Sequence, residues 1–346
     1  PEELYNITLV LLDSDNEYAY RLKKNVNIVQ LTFNSSFAKS LVSMYAFPAK
    51  VLKKLSVNSF IAYYDFISNC VTNVFEKTYD IAIDFYGYGS FVTAFLATKI
   101  QAKKKATWLH DEKPYWMKSV QKYLCEYDKI YGVSQAVVDA FCREYPHYKD
   151  KAAVFYNVID IEEIKRKSEQ DEIIPFKESF NIVTVGRLTE QKGYDIAIKA
   201  ASILKKRKIN FAWYAIGGGR DEKKLKKLVE KYCLENQFVF LGRKKNPYPY
   251  MKHCDLYVQP SRHEGYVITL VEARALCLPI LSSDIPSARE QIQDGINGYV
   301  VELSAEDLAD KIEYLYNNPS QRKKTVEYLK EHPIDFSTEL LKLEII

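Results

Sequence analysis

The chain is predicted to be an α/β protein of two units, each an open, mostly parallel sheet flanked by helices. Three observations carry this. The 346 residues are 47% hydrophobic and 27% charged, a composition that supports two proper cores. Short β-branched runs alternate with segments of helical period in both halves, and such alternation demands right-handed crossovers between parallel strands. The polar segment Glu162 to Ser179 separates the halves and reads as a hinge linker.

In the first half the strand candidates are Asn6 to Leu12, Val26 to Leu31, Asp80 to Asp84, Ala106 to Leu109, Lys129 to Val133 and Ala152 to Phe155, with helices in most of the gaps. In the second half Asn181-Ile-Val-Thr-Val ends at Gly186. Tyr194 to Arg207 follows with Ile196, Ala197, Ala200, Ile203 and Leu204 on one helical face. Phe211 to Ile216 runs into Gly217-Gly-Gly219, and Asp221 to Glu235 is a charged helix striped by Leu225, Leu228, Val229 and Tyr232. Phe238 to Leu241, Leu256 to Val258, Pro279 to Leu281 and Gly298 to Val301 continue the strands, and Ser304 caps the next helix. The boundaries follow as 1–178, 179–331, and a C-terminal helix over 332–346 that packs back toward the first unit.

A net charge of +4 is too weak to argue for nucleic acid. Cys70, Cys125, Cys142, Cys233, Cys254 and Cys277 lack metal-site spacing and read as buried, reduced thiols of a cytoplasmic protein. The most apolar stretch, Val57 to Phe75, is broken by Asn58, Asp65 and Asn69, so it does not read as a membrane span. No cofactor and no metal is expected. Asp13-Ser-Asp15 has the form of a metal-binding D-x-D, but Asx-turn chemistry explains it after the first strand. Ser40 to Lys54 mixes aliphatic and aromatic residues with lysines. It reads equally as a helix broken at Pro48 or as a peripheral contact with an anionic membrane.

The most informative segment is Ser261-Arg-His-Glu264-Gly-Tyr-Val-Ile-Thr-Leu-Val-Glu272. Leu256-Tyr-Val-Gln-Pro260 leads in as a strand, and Thr269 to Cys277 reads as a helix. Glu264 therefore lies on a strand-to-helix turn and Glu272 in the first turns of the helix. Such turns lie at the carboxyl ends of parallel strands, where ligands bind. The helix N-terminus suits a phosphate. Two carboxylates beside it make sense if they grip hydroxyls, one of a ribose and one of a sugar, which describes a nucleotide-sugar site. Arg187 and Lys192, next to Gly186 and Gly193 on another strand-to-helix turn, read as phosphate ligands rather than a solvated pair. Gly217-Gly-Gly219 reads equally as a tight turn or a phosphate approach, with Gly218 the candidate contact.

Four blocks in order resemble glycosyltransferase family 4, a retaining, nucleotide-sugar-dependent family of the GT-B fold. They are Gly186-Arg187-Leu-Thr-Glu-Gln-Lys192-Gly193; Gly217-Gly-Gly219 with a charged helix; Phe240-Leu-Gly242, Tyr250-Met and Cys254-Asp255-Leu-Tyr-Val-Gln-Pro-Ser; and the paired glutamates with Pro279 and Asp294-Gly-Ile-Asn-Gly298 downstream. Val133-Ser134-Gln-Ala136 and Asn157-Val-Ile-Asp160 are also similar to the family. The resemblance implies two Rossmann-like domains facing a cleft. In it Arg187 and Lys192 clamp the diphosphate, Glu272 holds the ribose, and Glu264 holds the sugar and favours an oxocarbenium-like transition state. Gly186, Gly265 and the backbone from Tyr266 through Val267 and Ile268 to Thr269 would also line the sugar-donor site. The family often places a histidine where His110 ends its strand, facing the sugar. Asp111 is a weaker acceptor-side candidate, as are Gly87 and Gly89, for which a turn is the plainer account.

The resemblance further implies a glycan or lipid-linked acceptor, an assignment to bacterial surface polysaccharide assembly, and a place in the cytoplasm or on the inner face of the membrane. Asn6 to Leu12 resembles the family's second strand, so the N-terminal domain is expected to lack a first strand, glycine loop and first helix. The competing readings are a GT-B nucleotide-sugar epimerase and an inactive partner subunit.

Overall fold

The computed structural model describes residues 5–12, 26–36, 57–73, 75, 77–87, 90–170, 176 and 179–342. The expectations for Asp13-Ser-Asp15, Ser40 to Lys54 and Gly89 fall outside these residues.

The first half places β1 (Thr8–Leu11) parallel to β2 (Asn27–Gln30), and α1 spans Val57–Cys70. A separate parallel sheet follows in the order β3 (Tyr79–Asp84), β4 (Ala102–Leu109), β5 (Lys129–Gly132) and β6 (Ala152–Val154). Helix α2 (Phe91–Lys99) joins β3 to β4, and α3 (Gln135–Glu144) follows β5. Ser134 caps α3 by accepting from the Val137 N–H, which is why the strand stops there and the helix begins.

Between the halves the structure departs from the reading of a polar linker. Ile161–Ser168 form α4, capped by the Asp160 carboxylate, with acids in the first turn and bases in the last. Its single apolar anchor, Ile164, is 2% exposed. The helix packs against elements of the second half, and the Asn246 side chain donates to the Lys167 carbonyl at 2.9 Å. Composition hid this helix because one isoleucine carries its buried face.

The second half is one six-stranded parallel sheet, ordered β12-β11-β10-β7-β8-β9. Its strands are β7 (Phe180–Val185), β8 (Phe211–Ile216), β9 (Phe238–Gly242), β10 (Leu256–Gln259), β11 (Ile280–Ser283) and β12 (Tyr299–Val301). Its first helices are α5 (Tyr194–Lys206), α6 (Glu222–Lys231), α7 (Tyr248–Lys252), α8 (Ile268–Ala275) and α9 (Pro286–Arg289). The rest are α10 (Ala305–Asn317), α11 (Pro319–Glu331) and α12 (Ser337–Leu341). Every residue of β8 is buried, as a strand covered on both faces requires. Buried Trp213 in that strand satisfies its indole N–H on the Thr184 hydroxyl at 3.0 Å. The chain runs from β7 outward through β8 and β9, then returns to β10 on the other side of β7. The switch point therefore lies between the carboxyl ends of β7 and β10, where ligands of such sheets bind.

Helix α8 ends two residues before the expected Cys277. Cys277 has a φ of 54°, the left-handed conformation that closes many helices, and the Leu278 N–H returns to the Ala273 carbonyl. At the C-terminus, α12 seats on the end of β6: the Glu339 carboxylate accepts from the Tyr156 N–H at 3.1 Å and Lys342 donates to the Val154 carbonyl at 3.1 Å. The thiols are free, but the expectation that all are buried needs correction, because Cys125 and Cys233 are exposed. Cys125 sits on a short 3-10 segment and Cys233 in the left-handed turn after α6, positions that short-range periodicity does not mark. Among the described residues no helix is long and apolar enough to cross a membrane.

Candidate active site

The floor of the site is built by two turns pressed together at the switch point. After β7, Glu190–Lys192 form a 3-10 turn closed by Gly193 at φ 66°. A Cβ on Gly193 would fall 1.8 Å from the Pro260 carbonyl oxygen, so glycine alone lets this turn lie against the end of β10. Arg262 then locks the two turns. Its guanidinium makes a bidentate pair with Asp195, at 2.8 Å for each bond, the Arg262 backbone N–H donates to the Gln191 carbonyl, and the Gln191 side-chain amide donates to the His263 carbonyl.

This clamp brings Lys192 and Glu264 together. Lys192 Nζ lies 2.6 Å from Glu264 Oε1, with side chains 15% and 8% exposed. The same carboxylate oxygen accepts from the Ser261 hydroxyl at 2.6 Å. Ser261 in turn accepts from the Gln259 amide at 2.6 Å. Gln259 is held by the Tyr257 hydroxyl and by Thr269 Oγ1 at 3.0 Å, both donating to its Oε1. Glu264 is therefore oriented by a buried polar chain running back into β10. Sequence reasoning missed Tyr257, Gln259 and Ser261; the available signal was a glutamine inside an otherwise apolar strand.

The other expected sugar-donor residues line the same edge. Gly186 ends β7, and Arg187 beside it is exposed, its guanidinium unpaired among the described residues. Gly217, at φ 150°, packs so tightly that a Cβ would fall 1.9 Å from the Gly186 carbonyl oxygen, which explains that glycine by backbone approach. Gly218 neighbours the Arg243 side chain and accepts from the Leu188 N–H through its carbonyl. Val267 is buried, Ile268 is 42% exposed, and α8 begins at Ile268 with no side-chain cap, so its N-terminus keeps its positive end open. Glu272 is half-buried and accepts from the Tyr248 hydroxyl at 2.9 Å. Burial pushes its carboxyl above the usual range, partly opposed by that hydrogen bond. The structure thus joins Lys192 to Glu264 directly, while Glu272 is held by Tyr248 and Arg187 has no partner among the described residues.

The first half meets this edge at Gly265. A Cβ there would lie 1.9 Å from the His110 carbonyl oxygen and 3.1 Å from the Asp111 nitrogen. His110 Nε2 lies 2.7 Å from the Phe85 carbonyl, which can only accept, so that nitrogen carries the proton. Burial lowers the His110 pKa, so the ring is neutral near pH 7. Asp84, fully buried, accepts from the Gly87 N–H at 3.0 Å, Thr93 Oγ1 at 2.6 Å and Thr107 Oγ1 at 3.0 Å, and so fixes the turn beneath His110. Gly87 has a φ of 67°, and a Cβ there would meet the Trp108 carbonyl at 1.6 Å; its glycine is a packing requirement. Asp111 Oδ1 accepts from the Lys113 N–H at 3.0 Å, closing a tight turn.

The Tyr266 side chain crosses the junction into the core of the first half, its ring 5.6 Å from that of Tyr156. Glu290 also crosses, its carboxylate accepting from the Gln135 and Ala136 N–H groups at 2.9 Å each. Neither crossing was foreseen, because each joins residues more than a hundred positions apart.

With this geometry in hand, the relatives can be placed. The family model described as glycosyl transferases group 1 matches residues 165–332. An uncharacterized glycosyltransferase of Methanocaldococcus jannaschii is 33% identical over 172 residues, covering 49% of this chain and 40% of that protein. The N-acetylgalactosamine-N,N'-diacetylbacillosaminyl-diphospho-undecaprenol 4-alpha-N-acetylgalactosaminyltransferase of Campylobacter jejuni is 33% identical over 157 residues, covering 45% of this chain and 41% of its own length. The match thus spans less than half of either relative. Among solved structures, Anabaena HepE in complex with UDP and glucose superposes with a TM-score of 0.71 at 18% identity, covering 98% of this chain and 90% of that one. TarM of S. aureus, in a complex that includes UDP, gives 0.65 at 21%, covering 77% and 54%. Residues 165–332 are thus similar to the group 1 glycosyl transferases, within a chain that has the GT-B fold.

Proposed function

We propose that the protein is a retaining, metal-independent glycosyltransferase of family 4. It moves a sugar from a nucleoside-diphosphate sugar to a glycan or lipid-linked acceptor in assembly of a bacterial surface polysaccharide. The observation that carries this is the Lys192–Glu264 pair at the β7–β10 switch point, beside the uncapped N-terminus of α8. The complexes of HepE with UDP and glucose support a nucleotide-sugar ligand. The name of the Campylobacter relative, and that of a Salmonella typhimurium relative in colanic acid biosynthesis, support the polysaccharide setting.

In this reading the diphosphate lies over the N-terminus of α8, where free N–H groups and the helix dipole attract anions. Lys192 gives one N–H to Glu264 and keeps two for diphosphate oxygens; exposed Arg187 closes on the same group. The bond from C1 to the diphosphate oxygen breaks, and the two cations neutralise the charge left on the leaving group. The acceptor oxygen bonds to C1 on that same face, and its proton passes to a diphosphate oxygen. Glu264, held by Ser261 and Lys192, binds sugar hydroxyls and stabilises the positive character gained at the ring. Neutral His110 faces the sugar from the first half, and Glu272 takes the ribose hydroxyls.

The test is transfer from a panel of nucleotide sugars with and without EDTA, reading the product anomer by NMR. Retained configuration, unaffected by EDTA, is expected. An inverted product, loss of turnover in EDTA, or epimerised donor with no transfer would each overturn a named part of the reading.

A further inference from the structure

Glu290 reaches from the second half to the first, and the mechanism above gives it nothing to do. It follows α9 directly, and each of its carboxylate oxygens accepts one backbone N–H at the start of α3. Oε2 takes the Gln135 N–H and Oε1 the Ala136 N–H, both at 2.9 Å. The next two N–H groups of α3 are satisfied within the first half, Val137 on the Ser134 hydroxyl and Val138 on the Ser134 carbonyl. A carboxylate from the other half thus completes the cap of α3, and the positive end of the helix favours its charge. The Tyr156 hydroxyl, on the segment where the chain passes between the halves, donates to the same carboxylate at 3.3 Å.

Both ends of this contact lead to the site. On the first-half side the Val133 N–H, one residue before the capping Ser134, donates to the Leu109 carbonyl at 3.1 Å, and Leu109 directly precedes His110. On the second-half side α9 is tied to the turn that bears Glu264. Buried Ser287 donates its hydroxyl to the Glu264 carbonyl at 3.2 Å, and buried Gln291 donates its amide to the Val267 carbonyl at 3.4 Å. The Glu290 side chain therefore links a backbone path from His110 to a buried path from Glu264. Glu290 and Gln135 are themselves exposed. Separation of the halves would hydrate the freed carboxylate and N–H groups rather than strand them, so this contact can break and re-form where the buried Lys192–Glu264 pair cannot.

We propose that Glu290 is a positioning residue: by gripping the start of α3 it sets the spacing across the cleft between His110 and the Glu264 turn, and so holds the first-half wall over the sugar to be transferred. This rests on the glycosyltransferase reading above. Glu290 acts through the junction, so its loss falls on the transfer step and spares nucleotide binding by the second half.

The experiment uses the full chain and its Glu290→Ala, Glu290→Asp and Glu290→Gln variants. Spin labels on Cys125 and Cys233, exposed thiols in the first and second halves, report the distance between the halves by pulsed dipolar spectroscopy, in a background carrying Cys142→Ser and Cys277→Ser. UDP affinity is measured by calorimetry. Turnover is followed as UDP released from UDP-glucose, UDP-galactose and UDP-N-acetylglucosamine. Wild type should give one narrow distance distribution, and Glu290→Ala a broader one. Turnover should fall roughly tenfold in Glu290→Ala, while UDP affinity stays within about twofold. Glu290→Asp keeps the charge but loses the reach, and should resemble Glu290→Ala. Glu290→Gln keeps the length and one acceptor oxygen, and should recover part of both the distance and the turnover. An unchanged distribution in the variants, or UDP affinity that falls as steeply as turnover, would overturn the assignment. If Glu290→Ala does not fold, the aspartate and glutamine variants decide by the same criteria. Failure of wild type to bind UDP would instead strike the transferase reading, and the distance measurement would still decide whether Glu290 sets the spacing.

Discussion

Replacing Lys192 with methionine separates the structural and chemical roles of the buried pair. At 2.6 Å the attraction between the two charges is about 6 kcal/mol for an effective dielectric of about 20. Desolvation of two mostly buried ions costs several kcal/mol each, so the intact pair contributes little net stability. The asymmetry appears when one partner goes. Lys192→Met leaves Glu264 charged and 8% exposed, with Ser261 and Gln259 as its remaining partners, and a buried charge stranded this way costs roughly 3–5 kcal/mol. Glu264→Gln added to Lys192→Met removes that charge and should recover at least about 2 kcal/mol. The assay is denaturant unfolding of wild type, both single variants and the double variant at one pH, followed as a cycle. A Lys192→Met protein within about 1 kcal/mol of wild type, or a double variant worse than the sum of the singles, would refute the reasoning.

Other perturbations separate the remaining parts. Arg187→Ala should leave stability within about 0.5 kcal/mol, since the side chain is exposed, yet lower turnover roughly 10²–10³-fold. With Lys192→Ala added, turnover should fall by less than the product of the two effects, since both act on one diphosphate; steady-state rates and unfolding curves check both. Glu272 has a folded pKa raised by burial, so its carboxyl favours the folded state at low pH and loses that contribution as pH rises through the raised pKa. Nucleotide affinity should run the opposite way, weakening as pH falls through the same raised value, and Glu272→Gln should flatten both profiles in calorimetric titrations across pH. Glu264→Gln should fall on kcat and Glu272→Gln on KM for the sugar donor, as expected for transition-state and uniform binding respectively. Gly265→Ala places a methyl 1.9 Å from the His110 carbonyl, so it should push the halves apart and cut transfer more than it cuts UDP binding; equal losses in both assays would argue against that junction.

The second half was legible because its central strands are covered on both faces. Fully buried runs such as Phe211 to Ile216, ended by glycines, stand out in any window, and β8 coincides with its expected span. The first and last motif blocks marked the turns bearing Arg187, Lys192, Glu264 and Glu272, since Gly193 and Gly265, both required by close backbone approach, stand beside charged side chains. What stayed hidden depends on long-range contact. The Lys192–Glu264 bond joins residues 72 positions apart, and Glu290 reaches Gln135 across 155. α4 stayed hidden because the helix, with Ile164 buried, packs on α7 and α8 far along the chain. Gln259 gave the one local hint of a polar chain beneath Glu264.

The most direct measurement is calorimetric titration of UDP, GDP and ADP into the full chain and into its Arg187→Ala and Glu272→Gln variants. The expected result is saturable binding of at least one nucleotide at one site, weakened in both variants, because Arg187 lies on the turn after β7 and Glu272 in the helix after β10. Binding that ignores both substitutions, or absence of binding by all three nucleotides to folded wild type, would contradict a sugar-donor site at the switch point.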